Sequence, residues 1–374
     1  MPPVTYCTNI HAGETLAETM DALAAHTLRV KAALLPHEPF PVGLRLSGRA
    51  SLELAQDGAA RRLGQWLAAS GLCVTTVNAF PYGRFHDAPV KEAVYLPDWR
   101  DPERLGYTLR LAGALAGWLP EGATGSLSTV PVGFRRGFPE ADMPQALANM
   151  RRALAALAAI EDRTGRVLRL SVEPEPGCLV ETTEDMIALC DALDPDGTCR
   201  RHLAVCYDCC HQALQYEDPA ASLARLAAAG VTVGHVQVSS ALHLEGADLS
   251  RLSRFVEPVY LHQAVARLED GSLLRFDDLH EALAASRPDV TSWRVHFHLP
   301  VFVRQLPECE TTQPFLQEAL PLFAKETPME VETYTWSILP PDLKIADVAA
   351  SIIREIAWVE EARSGSLDAP SSAY

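Results

Sequence analysis

The chain has 374 residues, of which 48% are apolar and 21% are charged, and its formal net charge is −16 at pH 7. This composition is typical of a globular protein with a large buried core, and the acidic charge argues against a nucleic acid or an anionic membrane as partner. The sequence contains no run of about 18 apolar residues that would insert into a membrane. We therefore expect a small molecule as the ligand.

The first residues and the cysteines indicate the compartment. Residues 1–5 contain neither a basic segment nor a long apolar one, so no secretion signal is expected. The nine cysteines include the adjacent Cys209 and Cys210, and their spacing matches neither a disulfide framework nor a CxxC zinc site. We expect reduced thiols and a cytoplasmic location, and the acidic exterior is compatible with a homodimer.

Short β-rich segments alternate with longer segments rich in Ala, Leu and Arg, which is the pattern of βα units on a parallel sheet. Strands are predicted at residues 4–10, 42–47, 73–80, 126–132, 167–173, 203–208, 231–239 and 329–335. Helices are predicted at residues 14–35, 51–70, 102–118, 143–159, 181–193 and 343–361. The order predicts an α/β fold, a (β/α)8 TIM barrel in a single domain over residues 1–363, with a disordered tail at 364–374.

Residues 241–325 interrupt this alternation and are predicted to form a long insertion after strand seven. The insertion has a short hairpin arm and helix at 273–283, a strand-like segment at 293–302 and a helix near 315–323. Counting residues 293–302 as a barrel strand would add a ninth strand to a barrel that closes with eight. We therefore assign that segment to the insertion.

Polar side chains stand where the predicted strands end, and the active sites of such barrels lie at the C-terminal ends of the strands. Seven candidates for one common site follow from this position. They are Glu173, Asp208, His211, Gln237 and Glu332 at strand ends, and His296 and His298 in the insertion.

The spacing of these candidates favours a metal site. Asp208 and His211 combine a carboxylate with an imidazole, a pair that suits a divalent cation, although an Asp N-cap beside a surface His is the alternative. Glu173 and Asp208 are 208 − 173 = 35 residues apart, which is the length of one βα unit. His296 and His298 project to the same side of an extended segment. Carboxylates that converge in a barrel mouth repel one another unless a cation neutralises them.

With these motifs the chain resembles the xylose-isomerase-like TIM barrels, which include sugar isomerases, sugar epimerases and zinc-dependent abasic-site endonucleases. More narrowly, four segments are similar to the EboE family of bacterial ebo gene clusters, whose members are described as metabolite traffic proteins. These segments are T-Y-C-T-N-I-H at 5–11, V-G-L-R-L-S at 42–47, N-A-F-P-Y-G at 78–83 and H-F-H-L-P-V-F at 296–302.

The resemblance implies a divalent cation, Zn, Mn, Fe or Mg, that Glu173, Asp208 and Glu332 bind, with the three histidines near a second ion or the substrate. Sugar isomerases and epimerases carry His or Asp at the position of Gln237, whose amide oxygen is a neutral ligand. Either the metal is bound more weakly, or His235 or the two insertion histidines replace Gln237. In the alternative interpretation, His235 packs against a helix on the opposite strand face.

Four further residues are candidates for binding substrate. His11 contacts substrate or caps a helix, and Arg45, inside an apolar strand, pairs with a carboxylate or binds an anionic group of the substrate. Asn78 and Trp336 line the pocket or pack in the core.

Together these residues predict a metal-dependent isomerase or epimerase that acts on a sugar, a sugar phosphate or a cyclitol-like polyol. The ion would chelate a carbonyl and its neighbouring hydroxyl, and Glu173 and Glu332 would move the proton as a general acid–base pair. A two-metal phosphoester hydrolase, an iron enzyme for oxygen chemistry and a metabolite carrier without turnover are the alternatives.

Overall fold

The computed structural model describes residues 4–86, 88–285, 287–344 and 347–365, so residues 366–374 of the predicted tail lie outside the described residues. Its central element is a parallel eight-stranded sheet in the order β1-β13-β7-β6-β5-β4-β3-β2. The strands are β1 (Thr5–Tyr6), β2 (Phe40–Arg45), β3 (Leu72–Asn78), β4 (Thr124–Thr129), β5 (Val167–Val172), β6 (Leu203–Asp208), β7 (Thr232–Val238) and β13 (Met329–Val331). Strands β8 to β12 belong to the insertion described below.

The two edge strands of this sheet meet, which closes the barrel. Cys7, just after β1, and Gly43 in β2 form a parallel bridge. Gly43 leaves no space for a side chain, because a Cβ there would lie 1.4 Å from Glu330 Oε2. The (β/α)8 barrel predicted from the sequence is therefore confirmed.

Helices alternate with the strands around the barrel. They are α1 (Leu16–Ala22), α2 (Leu28–Leu34), α3 (Gly48–Leu54), α4 (Ala59–Ala69), α5 (Pro102–Trp118), α6 (Met143–Thr164), α7 (Thr183–Leu193), α8 (Cys209–Leu214), α9 (Pro219–Ala228), α10 (Leu279–Ala284), α11 (Gln313–Ala319) and α12 (Val348–Arg363). A π-helical turn at Leu23–Thr27 joins α1 and α2 into the single helix that the sequence predicts. No helix in the described parts of the chain is long and apolar enough to cross a membrane.

Most predicted elements differ by a few residues from the observed ones, and three of these differences have a clear structural cause. The helix predicted at 51–70 is interrupted because Asp57 and Gly58 have φ angles of 41° and 72°, which no right-handed helix accommodates. The first strand ends at Tyr6, and the last ends at Val331, since a 3₁₀ turn follows each of them closely. Helices α8 and α9, between β6 and β7, are absent from the sequence prediction.

The insertion after β7 forms a second, antiparallel sheet in the order β10-β9-β11-β8-β12. Its strands are β8 (Ser240–Glu245), β9 (Ala264–Leu268), β10 (Leu273–Phe276), β11 (Val290–Leu299) and β12 (Glu310–Thr311). Trp293, Val295 and Phe297 of β11 are buried in a hydrophobic cluster that belongs to this sheet. The predicted segment 293–302 thus contributes to the insertion and not to the barrel.

The interior of the barrel is polar beneath its mouth. His235 is fully buried, with Nδ1 2.7 Å from Ser126 Oγ and Nε2 3.2 Å from Cys206 Sγ. The interpretation that placed His235 against a helix is wrong, because residues two apart in a strand share a face and Gln237 faces the same way. His235 is consequently a buried neighbour of Glu330, whose Oε1 lies 3.3 Å from its Nε2.

Candidate metal centre

A cavity opens at the C-terminal ends of the barrel strands, beneath the insertion. One part of its lining is polar, and we call these residues the polar floor. They are Asn9, Asn78, Glu173, Glu175, His211, His296, His298 and Glu332. Five aromatic side chains of the lining form what we call the aromatic wall. They are Phe80, Phe85, Tyr95, Tyr260 and Tyr334.

Three carboxylates from different strands meet at this floor, and we call them the carboxylate group. Glu173 directly follows β5, Asp208 ends β6 and Glu332 directly follows β13. Each offers an oxygen atom, and the three oxygens lie within 4.8 Å of one another. Glu173 Oε2 and Asp208 Oδ2 are buried without a hydrogen-bond partner, although buried polar atoms are normally paired.

Neighbouring side chains orient two of these carboxylates. Asp208 Oδ1 accepts hydrogen bonds from Ser239 Oγ at 2.8 Å and from the backbone N–H of His211 at 3.0 Å. The second of these bonds makes Asp208 the N-cap of α8. Glu332 Oε1 accepts from Asn9 Nδ2 at 2.8 Å and from Asn78 Nδ2 at 3.0 Å. Both arrangements leave the second oxygen of each carboxylate outside these hydrogen bonds.

Three imidazoles, which we call the histidine group, present the same nitrogen to one point. His211 Nδ1 lies 2.9 Å from the backbone oxygen of Pro174. His296 Nδ1 lies 2.7 Å from Gln263 Oε1, and His298 Nδ1 lies 2.7 Å from the backbone oxygen of Glu332. A carbonyl oxygen can only accept, so each Nδ1 carries the proton and each Nε2 carries a lone pair.

The three lone pairs converge without a proton between them. His296 Nε2 lies 3.3 Å from His211 Nε2 and 3.0 Å from His298 Nε2. Burial lowers the pKa of His211 to about 3 and that of His298 to about 4, and burial also lowers the pKa of His296. Neutral imidazoles held in this way repel one another unless a cation lies among them, and backbone or amide oxygens behind Nδ1 are typical of metal-binding histidines. The donor set therefore fits a divalent cation.

The carboxylate group also requires a cation for its charged form to be stable. Burial raises the pKa of Glu173, and the charges of Asp208 and Glu175 raise it further. Burial and the charges of Glu173 and Asp208 likewise raise the pKa of Glu332. Without a cation these carboxyls keep their protons at pH values where carboxyl groups are normally ionised, whereas a cation would stabilise the charged forms.

Glu175 belongs to the site but was missed by the sequence analysis. Its Oε2 lies 3.3 Å from His211 Nε2, and its Oε1 accepts a hydrogen bond from Tyr95 at 3.1 Å. Glu175, His211 and His296 can together hold an ion, as can Asp208, His211 and His298. The signal was available, since Glu175 stands two residues after Glu173 and residues two apart in extended chain face the same side.

Gln237 lies in β7 beside Asp208 and is fully buried. Both polar atoms of its side chain lack a hydrogen-bond partner. Burying a primary amide without any of its four possible hydrogen bonds costs free energy. A polar ligand beside Gln237 would remove this cost. Its role as a metal ligand stays a prediction.

Of the four residues predicted to bind substrate, the structure brings only Asn78 to the cavity. His11 and Arg45 line a separate small cavity. Arg45 pairs with Glu14, its Nη1 3.0 Å from Oε1, so its guanidinium is used within the protein. Trp336 packs against the hydrophobic cluster of the insertion sheet. The contacts of these three residues are explained without a substrate.

The fold and the site together define a (β/α)8 barrel with a candidate divalent metal centre at its C-terminal mouth. The chain belongs to the xylose isomerase-like TIM barrel family, whose sequence model matches residues 37–296. None of the curated protein sequences matches the chain.

Solved structures similar to the chain have the same fold. The structure of the IolI protein with a bound zinc atom has a TM-score of 0.51 and 11% identity, with 99% of this chain and 100% of that chain covered. L-ribulose 3-epimerase has a TM-score of 0.51 and 12% identity, with 98% and 96% covered. D-allulose 3-epimerase from Methylomonas sp. has a TM-score of 0.52 and 12% identity, with 96% and 97% covered. At these identities the likeness is one of fold.

A buried glutamate on α12 supports the segments that carry two of the site residues. Glu355 Oε2 accepts hydrogen bonds from Thr333 Oγ1 at 2.7 Å and from the backbone N–H of Val301 at 3.3 Å. Thr333 directly follows Glu332, and Val301 stands three residues after His298. Burial raises the pKa of Glu355 from 4.5 to about 7.

This pKa predicts how Glu355→Gln changes stability with pH. Because the folded pKa lies above the unfolded one, the stability that the neutral carboxyl contributes is complete below pH 4.5 and lost as pH rises through about 7. Glutamine does not titrate, so the variant should not lose this stability. Between pH 4.5 and about 7, its free energy of unfolding should rise relative to that of the wild type by about 3 kcal/mol. Urea unfolding at several pH values measures this difference. The matched control is Glu361→Gln, at an exposed position on the same helix, whose difference in the free energy of unfolding from the wild type should not change with pH. If this difference is equally independent of pH for Glu355→Gln, the prediction is contradicted.

Proposed function

We propose that this protein is a divalent-metal-dependent isomerase or epimerase that acts on a sugar or a cyclitol-like polyol. One observation carries the proposal. Unpaired carboxylate oxygens of Glu173 and Asp208 and three unprotonated imidazole nitrogens converge at the mouth of the barrel. Hard oxygen and borderline nitrogen donors in this number suit a catalytic divalent cation.

The bound cation would polarise a substrate carbonyl and its neighbouring hydroxyl, which acidifies the C–H bond between them. Among the described residues Glu173 Oε2 has no hydrogen-bond partner, so in its charged form it can accept that proton. Glu332, held through Oε1 by Asn9 and Asn78, would return a proton to the other face of the carbon. The aromatic wall would limit the access of water to the reacting carbon.

Related folds are consistent with this reaction. Two of the similar structures are described as sugar 3-epimerases, and a third contains zinc. The resemblance of several segments to the EboE family would add that the substrate is a metabolite handled by an ebo-type gene cluster. In that case a carrier that binds the metabolite without turnover is the alternative.

A second candidate function is phosphoester hydrolysis with two metal ions. It is favoured by Asp208, which lies both in the carboxylate group and in a set with His211 and His298. A shared carboxylate between two ions is the arrangement that clamps an attacking and a leaving oxygen.

Two measurements test the proposal. Protein purified without chelator is analysed for metals, and it is then incubated in D₂O with ketoses, aldoses and keto-inositols while NMR follows exchange of C–H protons. One divalent ion per chain and deuterium incorporation next to a carbonyl are expected. Two zinc ions with hydrolysis of a small phosphoester would replace the proposal by the hydrolase. Absence of both metal and exchange would contradict it in favour of the carrier.

A further inference from the structure

The aromatic wall contains three rings that pack on one another. The ring centroids of Phe85, Tyr260 and Tyr334 lie 5.0 to 5.3 Å apart in every pairing. They come from three segments distant in sequence, namely the loop after β3, the insertion and the loop after β13. A cavity surface assembled from both the barrel and the insertion is a feature of their tertiary arrangement and not of one local motif.

This wall directly adjoins the polar floor. The ring of Tyr334 lies 4.5 Å from that of His298, centroid to centroid. Tyr95 extends the aromatic surface, with its centroid 6.0 Å from that of Phe80, and its hydroxyl donates to Glu175 of the floor. A ligand whose polar end reaches the metal centre would therefore place its next few atoms against aromatic carbon.

The part of the chain that the structure describes offers no unpaired lysine or arginine in this cavity for an anionic substituent. Among the described lining residues, Lys91 alone is a lysine or arginine. Its Nζ donates to Asp278 Oδ2 at 2.6 Å and to the backbone oxygens of Tyr260 and Glu257 at 2.7 and 3.2 Å. An ammonium group has three N–H donors, so all of them are used.

The floor itself is unfavourable for an additional negative charge. Glu173, Glu175 and Glu332 line the cavity, and Asp208 lies against them. One divalent cation cannot offset four carboxylates, so a phosphate would meet net repulsion and no donor from Lys91. A phosphorylated sugar fits this cavity poorly, whereas an uncharged apolar group fits its wall.

We propose, on the basis of the metal-dependent function given above, that the substrate is an uncharged molecule that joins a chelating α-hydroxycarbonyl or vicinal diol to an apolar ring. The ring packs against the side of the aromatic wall that lines the cavity, and the oxygens face the metal centre. Ring stacking and burial of apolar area supply affinity that a simple sugar lacks.

Three probes with one common HOCH₂–C(=O) head test this inference. They are 2-hydroxyacetophenone, dihydroxyacetone and dihydroxyacetone phosphate, which end in a phenyl ring, a hydroxymethyl group and a phosphate. Binding to the full-length, metal-loaded protein is measured by calorimetry or ligand-observed NMR. The phenyl compound should bind at least about tenfold more tightly than dihydroxyacetone, and the phosphate should bind no more tightly.

Phe85→Ala should lower the ratio of the affinity for the phenyl compound to the affinity for dihydroxyacetone at least about threefold. Phe302→Ala, a partly buried phenylalanine outside the cavity lining, is the matched control. The wild-type comparison tests the inference by itself if Phe85→Ala does not fold.

Tightest binding of the phosphate, or equal binding of all three probes, would overturn the inference. Because the comparison measures affinity, it is independent of turnover. A phenyl preference without C–H exchange for any compound would refute the proposed reaction and leave this inference standing. C–H exchange together with equal affinities for the three probes would support the proposed reaction and refute this inference.

Discussion

Glu173→Gln is expected to lower turnover of an isomerisation substrate by about 10²- to 10⁴-fold, which is the usual contribution of a general base. Glutamine has the shape of glutamate but cannot take up the proton. Because Glu173 Oε2 has no hydrogen-bond partner among the described residues, the substitution breaks no observed hydrogen bond of this atom, and the barrel should stay folded. Steady-state kinetics at saturating metal and a thermal melt measure both parts of this prediction.

Metal affinity must be separated from proton transfer in that experiment. Glu173 also belongs to the carboxylate group, so the assay is repeated at increasing metal concentration until the rate no longer changes. Glu184→Gln, at an exposed ion pair with Arg225, serves as the matched control and should keep full activity. A fully active Glu173→Gln enzyme at saturating metal would show that this carboxylate does not transfer the proton.

Removal of the metal is expected to destabilise the protein, and the effect should depend on pH. A cation at about 100 times its dissociation constant adds about 2.7 kcal/mol to the free energy of unfolding. In the metal-free protein the raised pKa values of Glu173 and Glu332 keep protons on carboxyls that the ion requires in charged form. Metal binding must therefore release protons, so the affinity rises with pH and falls as the solution is acidified.

Calorimetric titration with Mn²⁺ or Zn²⁺ in buffers of different ionisation enthalpy measures both the affinity and the number of protons released. Thermal melts with and without chelator give the change in stability at each pH. His296→Ala removes one donor of the histidine group and should lose most of the metal-induced stabilisation. His243→Ala, a histidine of β8 outside the candidate metal sets, is the control and should retain it. Affinity that does not change between acidic and neutral pH would contradict this account of the carboxylates.

Several features of the site could be predicted from spacing alone. Asp208 and His211 are close because a strand ends where a helix begins, and Asp208 then caps that helix. Glu173 and Glu332 each follow a barrel strand directly, and parallel strands in a closed barrel bring their C-terminal ends to one rim. The same reasoning missed Glu175, because only the residue at each strand end was considered and Glu175 stands two residues beyond Glu173.

Other features depend on contacts between distant parts of the chain. The acceptor of His296 Nδ1 is Gln263, 33 residues earlier and in the neighbouring part of the insertion. Arg45 was predicted to bind either a carboxylate or a substrate anion, and only the position of Glu14 distinguishes these two. The aromatic wall has no counterpart in the sequence analysis, since its rings meet only when the insertion folds over the barrel.

The sequence by itself determined the class of fold and the rim at which the polar residues collect. The physical reason is that hydrophobic periodicity and chain length per βα unit are local properties, and closure of a parallel barrel follows from their repetition. Only the tertiary structure decided which atoms of those residues remain unpaired, which imidazole nitrogen carries the proton and which surface lines the cavity. These depend on hydrogen-bond partners and packing between segments far apart in the chain, which no local pattern encodes.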